Sequence, residues 1–308
     1  MRYFKVLFIA LSLQANAQDP VYTNTHQSLI ALNPSFAGSN GLLRYQSTTR
    51  SQWFNLSGTY LTYYNSIDAY IKPIKGGIAL TYVRDDQARG TLVTDRIDLT
   101  YAQHFNLFDE KLKIIPSVQV SYFKKTIDNT KLTFGDQIDP RRGFVGSTSD
   151  LPAKQSKSNV DLSAGLVVNY KHFYIGSSVF HISQPDEGIY GPSKLPYRIS
   201  AFTSYNLFLG ENVLINALFR FEKQFSFTTA NFNINALFAK HLMVSVGSVN
   251  NNAINTLIGY RHNYFSISGG YEFGINSINR NSGSFEICAS FNLRNKDDRK
   301  TVKDMERW

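Results

Sequence analysis

The chain has 308 residues, of which 43% are hydrophobic, 14% aromatic and only 18% charged, with a formal net charge of +9. Its single cysteine, Cys288, excludes an internal disulfide, and no stretch beyond the first residues approaches the roughly 20 apolar residues of a membrane helix. The positive excess is spread along the chain rather than gathered into a basic stripe with interleaved aromatics, which argues against a nucleic-acid partner. No Cys/His cluster has metal-ligand spacing, so neither metal nor cofactor is expected.

Residues 1–17 read as a secretory signal peptide: a cationic start with Arg2 and Lys5, an apolar run from Val6 to Leu13, and the small-residue cleavage site Ala15-Asn16-Ala17. The apolar run is too short for a membrane anchor. Gln18 then begins the mature chain, and no cysteine follows the site to carry a lipid.

The rest of the chain is dominated by period two in segments of about ten residues, the pattern of strands with one apolar and one polar face. Fourteen strands are predicted, near residues 42–53, 57–72, 76–85, 91–107, 111–127, 158–170, 172–182, 194–209, 211–223, 225–239, 241–249, 253–261, 263–276 and 284–293. In the last of them Phe285, Ile287, Ala289, Phe291 and Leu293 take one face, while Ser284, Glu286, Cys288, Ser290 and Asn292 take the other. Phe232, Ile234, Ala236 and Phe238 alternate with Asn231, Asn233 and Asn235 in the same way.

Alternation alone leaves a soluble β-sandwich open beside a membrane barrel. The loops separate the two. Connections after even-numbered strands are tight, as at Lys240 and His262, while the long ones, 128–157, 183–193 and 276–283, follow odd-numbered strands. Such sorting, with an even strand count, points to an all-β transmembrane antiparallel barrel of an outer membrane, both termini and the short turns being periplasmic. Closure also removes the unpaired edges that lipid does not tolerate. The inward set then includes Arg44, Arg50, Asp68, Arg96, Asp98, Arg220, Glu222, Glu272 and Glu286, whose mixed signs suit ion pairs across the lumen.

Six segments in order carry a resemblance to a known family. They are Leu32-Asn33-Pro34-Ser35-Phe36-Ala37-Gly38-Ser39, Arg50-Ser51-Gln52-Trp53, Gly76-Gly77-Ile78-Ala79-Leu80 with Arg84-Asp85, Tyr101-Ala102, Lys131-Leu132-Thr133-Phe134-Gly135-Asp136-Gln137-Ile138-Asp139, and Gly283-Ser284-Phe285-Glu286-Ile287. Together they resemble the PorP/SprF outer-membrane proteins of Bacteroidetes, associated with type IX secretion and gliding motility. Phe285 departs from the family's usual His, and the tail 294–308 runs past its usual end. The resemblance implies a non-enzymatic outer-membrane component that supports secretion or cell-surface retention of a particular exported protein, with that protein, periplasmic secretion components and outer-membrane lipid as partners.

Three further segments invite function. The loop 128–157 is long for a compact domain; in it Phe134, Asp136, Gln137, Asp139, Arg141 and Arg142 are the candidate partner-binding residues, the alternative being a lid that merely closes the barrel. Residues 18–40 are too apolar for an idle tail: a helical turn over 28–32 ends at Asn33-Pro34, and the segment either plugs the lumen or packs on the periplasmic rim. The barrel proper spans 41–293. The charged tail 294–308 is either a solvated periplasmic extension or a docking element anchored by Met305 and Trp308.

A channel for a small or hydrophobic solute is the alternative function, since a barrel of this size encloses a lumen. A hydrolase is disfavoured. No G-x-S-x-G elbow occurs, and His104, His172, His181, His241 and His262 are scattered through strands and turns.

Overall fold

In the computed structural model the described residues are 19–20, 22, 28–41, 43–54, 58–108, 111–146, 148–149, 151, 155–210, 212–250, 252–275 and 283–293. The predicted signal peptide and the tail 294–308 lie outside them. The strands are β1 (Leu43–Gln52), β2 (Tyr60–Ile71), β3 (Gly76–Gln87), β4 (Leu92–Gln103), β5 (Leu112–Ile127), β6 (Ser156–Tyr170) and β7 (Phe173–Phe180). They continue as β8 (Arg198–Leu209), β9 (Val213–Gln224), β10 (Phe227–Phe238), β11 (Leu242–Val249), β12 (Ala253–Arg261), β13 (Phe265–Gly274) and β14 (Ser284–Leu293). Each pairs antiparallel with the next; after a break at His104, Phe105–Leu107 prolongs β4 along β5.

β14 returns to β1 in register from Leu43↔Leu293 to Gln52↔Ser284, so the sheet closes into a fourteen-strand barrel. The wall is apolar outside and polar inside. On β5, Val118, Val120 and Tyr122 are exposed while Ser117, Gln119 and Ser121 are buried; on β14, Phe285, Ile287 and Phe291 face out and Ser284, Glu286 and Cys288 face in. This is the inverse of a soluble core, and it follows from Cβ alternation on strands that meet hydrocarbon on one side.

The connections sort by end. Short turns follow the even-numbered strands; the three longest connections, 128–155, 181–197 and 275–283, all follow odd-numbered ones, where 88–91, 225–226 and 250–252 are short as well. Where single residues, Lys240 and His262, were expected to reverse the chain, the structure uses residues 239–241 and 262–264. One residue cannot supply the paired dihedral reversal of a hairpin; here Ala239 and Lys240 both adopt left-handed φ, at 47° and 65°. On the other side β7 stops at Phe180, because His181 turns left-handed at φ 60° and leaves the ladder. The loop before β8 therefore covers 181–197 instead of 183–193.

The expected inward charges do face in, and several of them pair along the wall. Arg44 Nε donates to Asp68 Oδ1 at 2.8 Å, and the two are register partners on β1 and β2. Arg50 donates to Glu286 Oε2 at 3.4 Å and to Glu272 Oε2 at 3.2 Å, and Arg50 and Glu286 are register partners at the closing seam. Inward side chains on paired strands stand about 5 Å apart, far closer than the opposite wall. Amides and hydroxyls line another arc: Asn216 Nδ2 donates to Asn206 Oδ1 at 2.7 Å, Asn235 Nδ2 to Asn216 Oδ1 at 3.0 Å, and the Ser245 hydroxyl to Asn235 Oδ1 at 2.7 Å.

Before β1 the chain forms one helical turn, α1 (Leu29–Leu32), and a 3₁₀ turn over Pro34–Phe36. Asn33 joins them. Its Oδ1 accepts from Ser35 N at 2.9 Å, while its Nδ2 donates to the Ser177 carbonyl of β7 at 2.9 Å. Leu29, Ile30, Leu32, Phe36 and Ala37 are buried with inward residues of the wall, among them Ala79, Ala102, Ile115, Val167, Phe202 and Leu218. This is the main apolar cluster among the described residues, and it lies inside the ring of strands.

Candidate functional site: the lumen and the long-loop mouth

Described residues ahead of β1 make contacts at both ends of the barrel. At the short-turn end Asn40 Nδ2 donates to Asn292 Oδ1 at 2.5 Å and Gly38 N to Asp68 Oδ2 at 2.8 Å, while His104 Nε2 lies 3.0 Å from the Ala37 carbonyl oxygen. Midway, the Ser28 and Thr48 hydroxyls are 2.9 Å apart and the Phe36 ring meets Phe202 at 5.6 Å. At the far end Asp19 reaches His181, Arg198 and Gln224. His181 follows the end of β7, Arg198 opens β8 and Gln224 closes β9, all at the long-loop mouth. The expectation that both termini face the periplasm is therefore corrected on the N-terminal side: the first described residue sits at the opposite mouth, held by pairing to groups distant in sequence.

The Asp19 contacts form a small buried network. His181 Nε2 lies 2.7 Å from Asp19 Oδ2 and its Nδ1 2.5 Å from Asp161 Oδ2. Arg198 Nε is 3.2 Å from Asp19 Oδ2, and its Nη1 3.4 Å from Glu222 Oε1; Arg220 Nη2 is 3.8 Å from Glu222 Oε2. Gln224 Oε1 accepts from the Asp19 N–H at 3.1 Å, and Arg220 donates to the Tyr22 carbonyl at 3.1 Å. The Tyr22 ring stands edge-on to Tyr64 at 5.5 Å.

Burial opposes charge on His181, but the Asp19 and Asp161 carboxylates outweigh it and push its pKa up to about 9. Burial likewise opposes ionisation of Asp19, yet His181 and Arg198 hold its carboxyl well below the usual range. The raised histidine favours docking fully below its free value of 6.5, and that contribution is lost as pH rises through about 9. The lowered carboxyl favours docking above its free value of 3.8 and loses its contribution as pH falls. Docking is thus expected to hold through neutral pH and to loosen above about pH 9. Hydrogen exchange of residues 19–36, corrected for its intrinsic pH dependence, should accelerate there in the native protein and lack that step in His181→Gln.

Several sequence motifs meet on this frame. A Cβ on Gly77 would lie 1.9 Å from the Ala37 carbonyl oxygen, and one on Gly38, at φ +70°, would lie 2.5 Å from Gly77 Cα. The Gly76-Gly77 pair and the Phe36-Ala37-Gly38 turn are thus two halves of one close contact. Arg50 and Glu286, from the first and last motifs, pair across the seam, where Trp53 N also donates to the Gly283 carbonyl at 3.0 Å.

The six candidate loop residues lie together in the excursion 128–155. Gly135–Gln137 forms a 3₁₀ turn, and Ile138–Asp139 pairs with Gly143–Phe144 as a minimal hairpin. Asp136 accepts from the Thr148 hydroxyl and Ser149 N, each at 2.7 Å; Gln137 accepts from Phe134 N at 2.8 Å and donates to the Gly146 carbonyl at 3.2 Å. Asp139 Oδ1 accepts from the backbone N–H of Arg141 and of Arg142, each at 2.8 Å. Asp136, Gln137 and Asp139 are thus spent on the loop's own shape. The Arg141 and Arg142 side chains are exposed, as are Ile138 at 59% and Phe144 at 66%.

The loop rests on its neighbours: Lys131 Nζ donates to the Arg89 carbonyl at 2.8 Å, and Tyr190, from the loop 181–197, to Asn129 Oδ1 at 3.3 Å. That second loop folds over the mouth, with Lys125 Nζ 2.5 Å from Glu187 Oε2, Lys157 bound to Asp186, and Leu195 buried. Sequence reasoning missed the Asp19 network. Its members are 205 residues apart at the widest, and no local pattern joins them.

Two open spaces flank the segment toward the short-turn end. One of about 900 Å³ is lined by Arg44, Gln46, Asn216, Asn235, Met243 and Asn292; the other, of about 960 Å³, by Phe36, Tyr70, His104, Lys113, Asn169 and Tyr174. The five histidines among the described residues are not gathered into one site. His104, His172, His241 and His262 lie at short turns, each against an aromatic ring, and His181 at the other mouth.

A closed antiparallel barrel carrying these motifs in order narrows the choice of family, and the family profile described as type IX secretion system membrane protein PorP/SprF matches residues 14–291. The chain belongs to the PorP/SprF family. It is accordingly an outer-membrane β-barrel of type IX secretion; in bacterial barrels of this kind the short turns are periplasmic and the long loops extracellular. Family and fold are those of a secretion and transport barrel, not of an enzyme class. No curated protein matches the sequence.

Among solved structures, this PorP/SprF chain is similar to the toluene transporter TbuX of Ralstonia pickettii, with TM-score 0.53, 11% identity and coverage of 87% of this chain and 94% of that one. The monoaromatic hydrocarbon channel CymD gives TM-score 0.52 at 10% identity, covering 90% and 95%. The outer membrane protein Omp33 of Acinetobacter baumannii gives 0.45 at 10%, covering 82% and 100%. At such identity the likeness is one of fold.

Proposed function

We propose that this PorP/SprF protein is a plugged barrel whose outer loops support secretion or cell-surface retention of one exported protein. The observation that supports the reading is a contrast: Leu29, Ile30, Leu32, Phe36 and Ala37, ahead of β1, are buried against inward residues of the wall, while Ile138, Phe144, Arg141 and Arg142 in the long loop are exposed. A loop whose acidic and amide groups are committed to its internal turns presents a preformed face, which lowers the ordering cost of binding. In this reading residues 1–17 are a removed signal peptide, 18–40 the plug, 41–293 the barrel and 294–308 a periplasmic tail.

The test is affinity purification of the tagged barrel from native outer membrane in mild detergent, followed by mass spectrometry. A large exported surface protein, or periplasmic secretion components, is expected to co-purify with the native barrel. The triple variant Arg141→Glu, Arg142→Glu, Phe144→Ala should lose most of the exported partner while keeping normal insertion and heat-modifiability. Equal recovery from both would remove the loop from the interface, and recovery of the barrel alone after crosslinking would sink the reading. A solute channel is the second reading, supported by the two lumenal spaces of about 900 and 960 Å³. Steady conductance of the native barrel in a planar bilayer would favour it.

A further inference from the structure

The ion pairs that tie down Asp19 link six groups into one network: His181, Arg198 and Arg220 against Asp19, Asp161 and Glu222. With protonated His181, three cations meet three carboxylates. Five of these groups belong to the wall or its loop, and only Asp19 comes from the segment threaded through the lumen. Lifting the segment out removes one of the three carboxylates that face His181, Arg198 and Arg220, and with it the carboxylate that bridges His181 and Arg198. The vacated site therefore calls for a carboxylate.

The site reads more than charge. Gln224 takes the backbone N–H of Asp19, Arg220 donates to the Tyr22 carbonyl, and the Tyr22 and Tyr64 rings meet in a T-shaped contact. A carboxylate, main-chain groups and an aromatic side chain are thus recognised within four residues, the same combination by which receptors hold extended peptides. Beside Asp19 and Pro20 lies a further space of about 560 Å³, lined by Arg96, Lys125, Glu187 and Leu195, through which another chain would approach.

We propose that this cluster is a carboxylate-recognition site at the outer mouth, filled in cis by the chain's own Asp19 to Tyr22 and able to accept an acidic, extended peptide of the exported partner in trans. The proposal rests on reading the segment as a plug that is able to leave. It makes the plug a self-ligand: an exported segment carrying an aspartate followed closely by an aromatic residue competes for the same five groups. The partner would thereby be sensed inside the mouth as well as held on the outer loops.

The test uses a fluorescently labelled synthetic peptide with the sequence of residues 18–27 and fluorescence anisotropy on the purified barrel in detergent. The native barrel is expected to bind it weakly, and a barrel lacking residues 18–27 to bind it saturably. An Asp→Asn version of the peptide should bind that truncated barrel at least tenfold less tightly, and a scrambled peptide of equal charge likewise. Full-length Asp19→Asn, which keeps the segment but weakens its hold, should bind the unmodified peptide more tightly than the native barrel does, so the proposal stays testable should the truncation misfold. Equal binding of the scrambled peptide, or no binding by either variant, would overturn it. Bilayer conductance of the truncated barrel separates the two readings. A conducting barrel that ignores the peptide refutes only the recognition site, whereas a silent, folded one refutes the plug and the site with it.

Discussion

Arg50→Met is expected to lower sharply the temperature at which the barrel loses its heat-modifiable form. Arg50 serves two carboxylates at once, and its own side chain is 5% exposed against 1% for Glu286 and 18% for Glu272. Methionine matches the guanidinium stem in length but removes the cation that the two acids share at the seam where β1 meets β14. Removing one partner of a buried pair costs about 3–5 kcal/mol, because the charge left behind is uncompensated. Glu286→Gln should be milder, since Arg50 keeps Glu272 and an amide oxygen still accepts. Combining Arg50→Met with Glu286→Met should recover part of the loss, since it also removes the more buried acid and leaves only the partly exposed Glu272 without Arg50. The measurement is the gel-shift temperature in dodecyl sulfate for the native barrel and these three variants; if the double variant is no better than Arg50→Met alone, uncompensated charge is the wrong account.

Gly77→Val is expected to open the lumen while the wall stays intact. The added carbons would fall on backbone atoms of the threaded segment, with the Ala37 carbonyl oxygen at 1.9 Å and Gly38 N at 2.7 Å from the new Cβ, and backbone does not yield as a flexible side chain would. Valine suits a strand, so β3 itself should hold its pairing. The turn at residues 36–38 would be displaced, breaking the Gly38–Asp68 hydrogen bond and withdrawing Phe36 from Phe202. In planar bilayers the native barrel should be silent, and Gly77→Val should conduct at least tenfold above that background, approaching a barrel lacking residues 18–38. A correctly inserted Gly77→Val barrel as silent as the native one would show that this contact does not keep the lumen closed.

Both predictions turn on residues whose face was readable from the chain but whose partners were not. Arg50 and Glu286 were placed inside by the alternation around them, and both do face in. That they form one pair at the seam depends on β14 returning to β1 with Arg50 opposite Glu286. The Gly76-Gly77 motif carried the family resemblance, yet its physical reason is the passage of a second backbone against it, 39 residues away for Gly38. The candidate loop residues divide similarly: their clustering in one excursion was legible, and the spending of Asp136, Gln137 and Asp139 on internal turns was not.

Strand number, the lipid-facing side and the sorting of short and long connections all followed from period-two alternation and turn spacing, because each is set within ten or so neighbouring residues. Where strands stop was less local: His181 leaves the ladder for two carboxylates contributed by Asp19 and Asp161. The packing of residues 29–37 against the inner wall, the pairing of buried charges along the wall and the Asp19 network belong to the folded barrel alone. Closing the sheet brings residues 205 positions apart within hydrogen-bonding distance, among side chains that are largely buried. There an ion without its partner is costly, and long-range pairing becomes the term that decides where the chain runs.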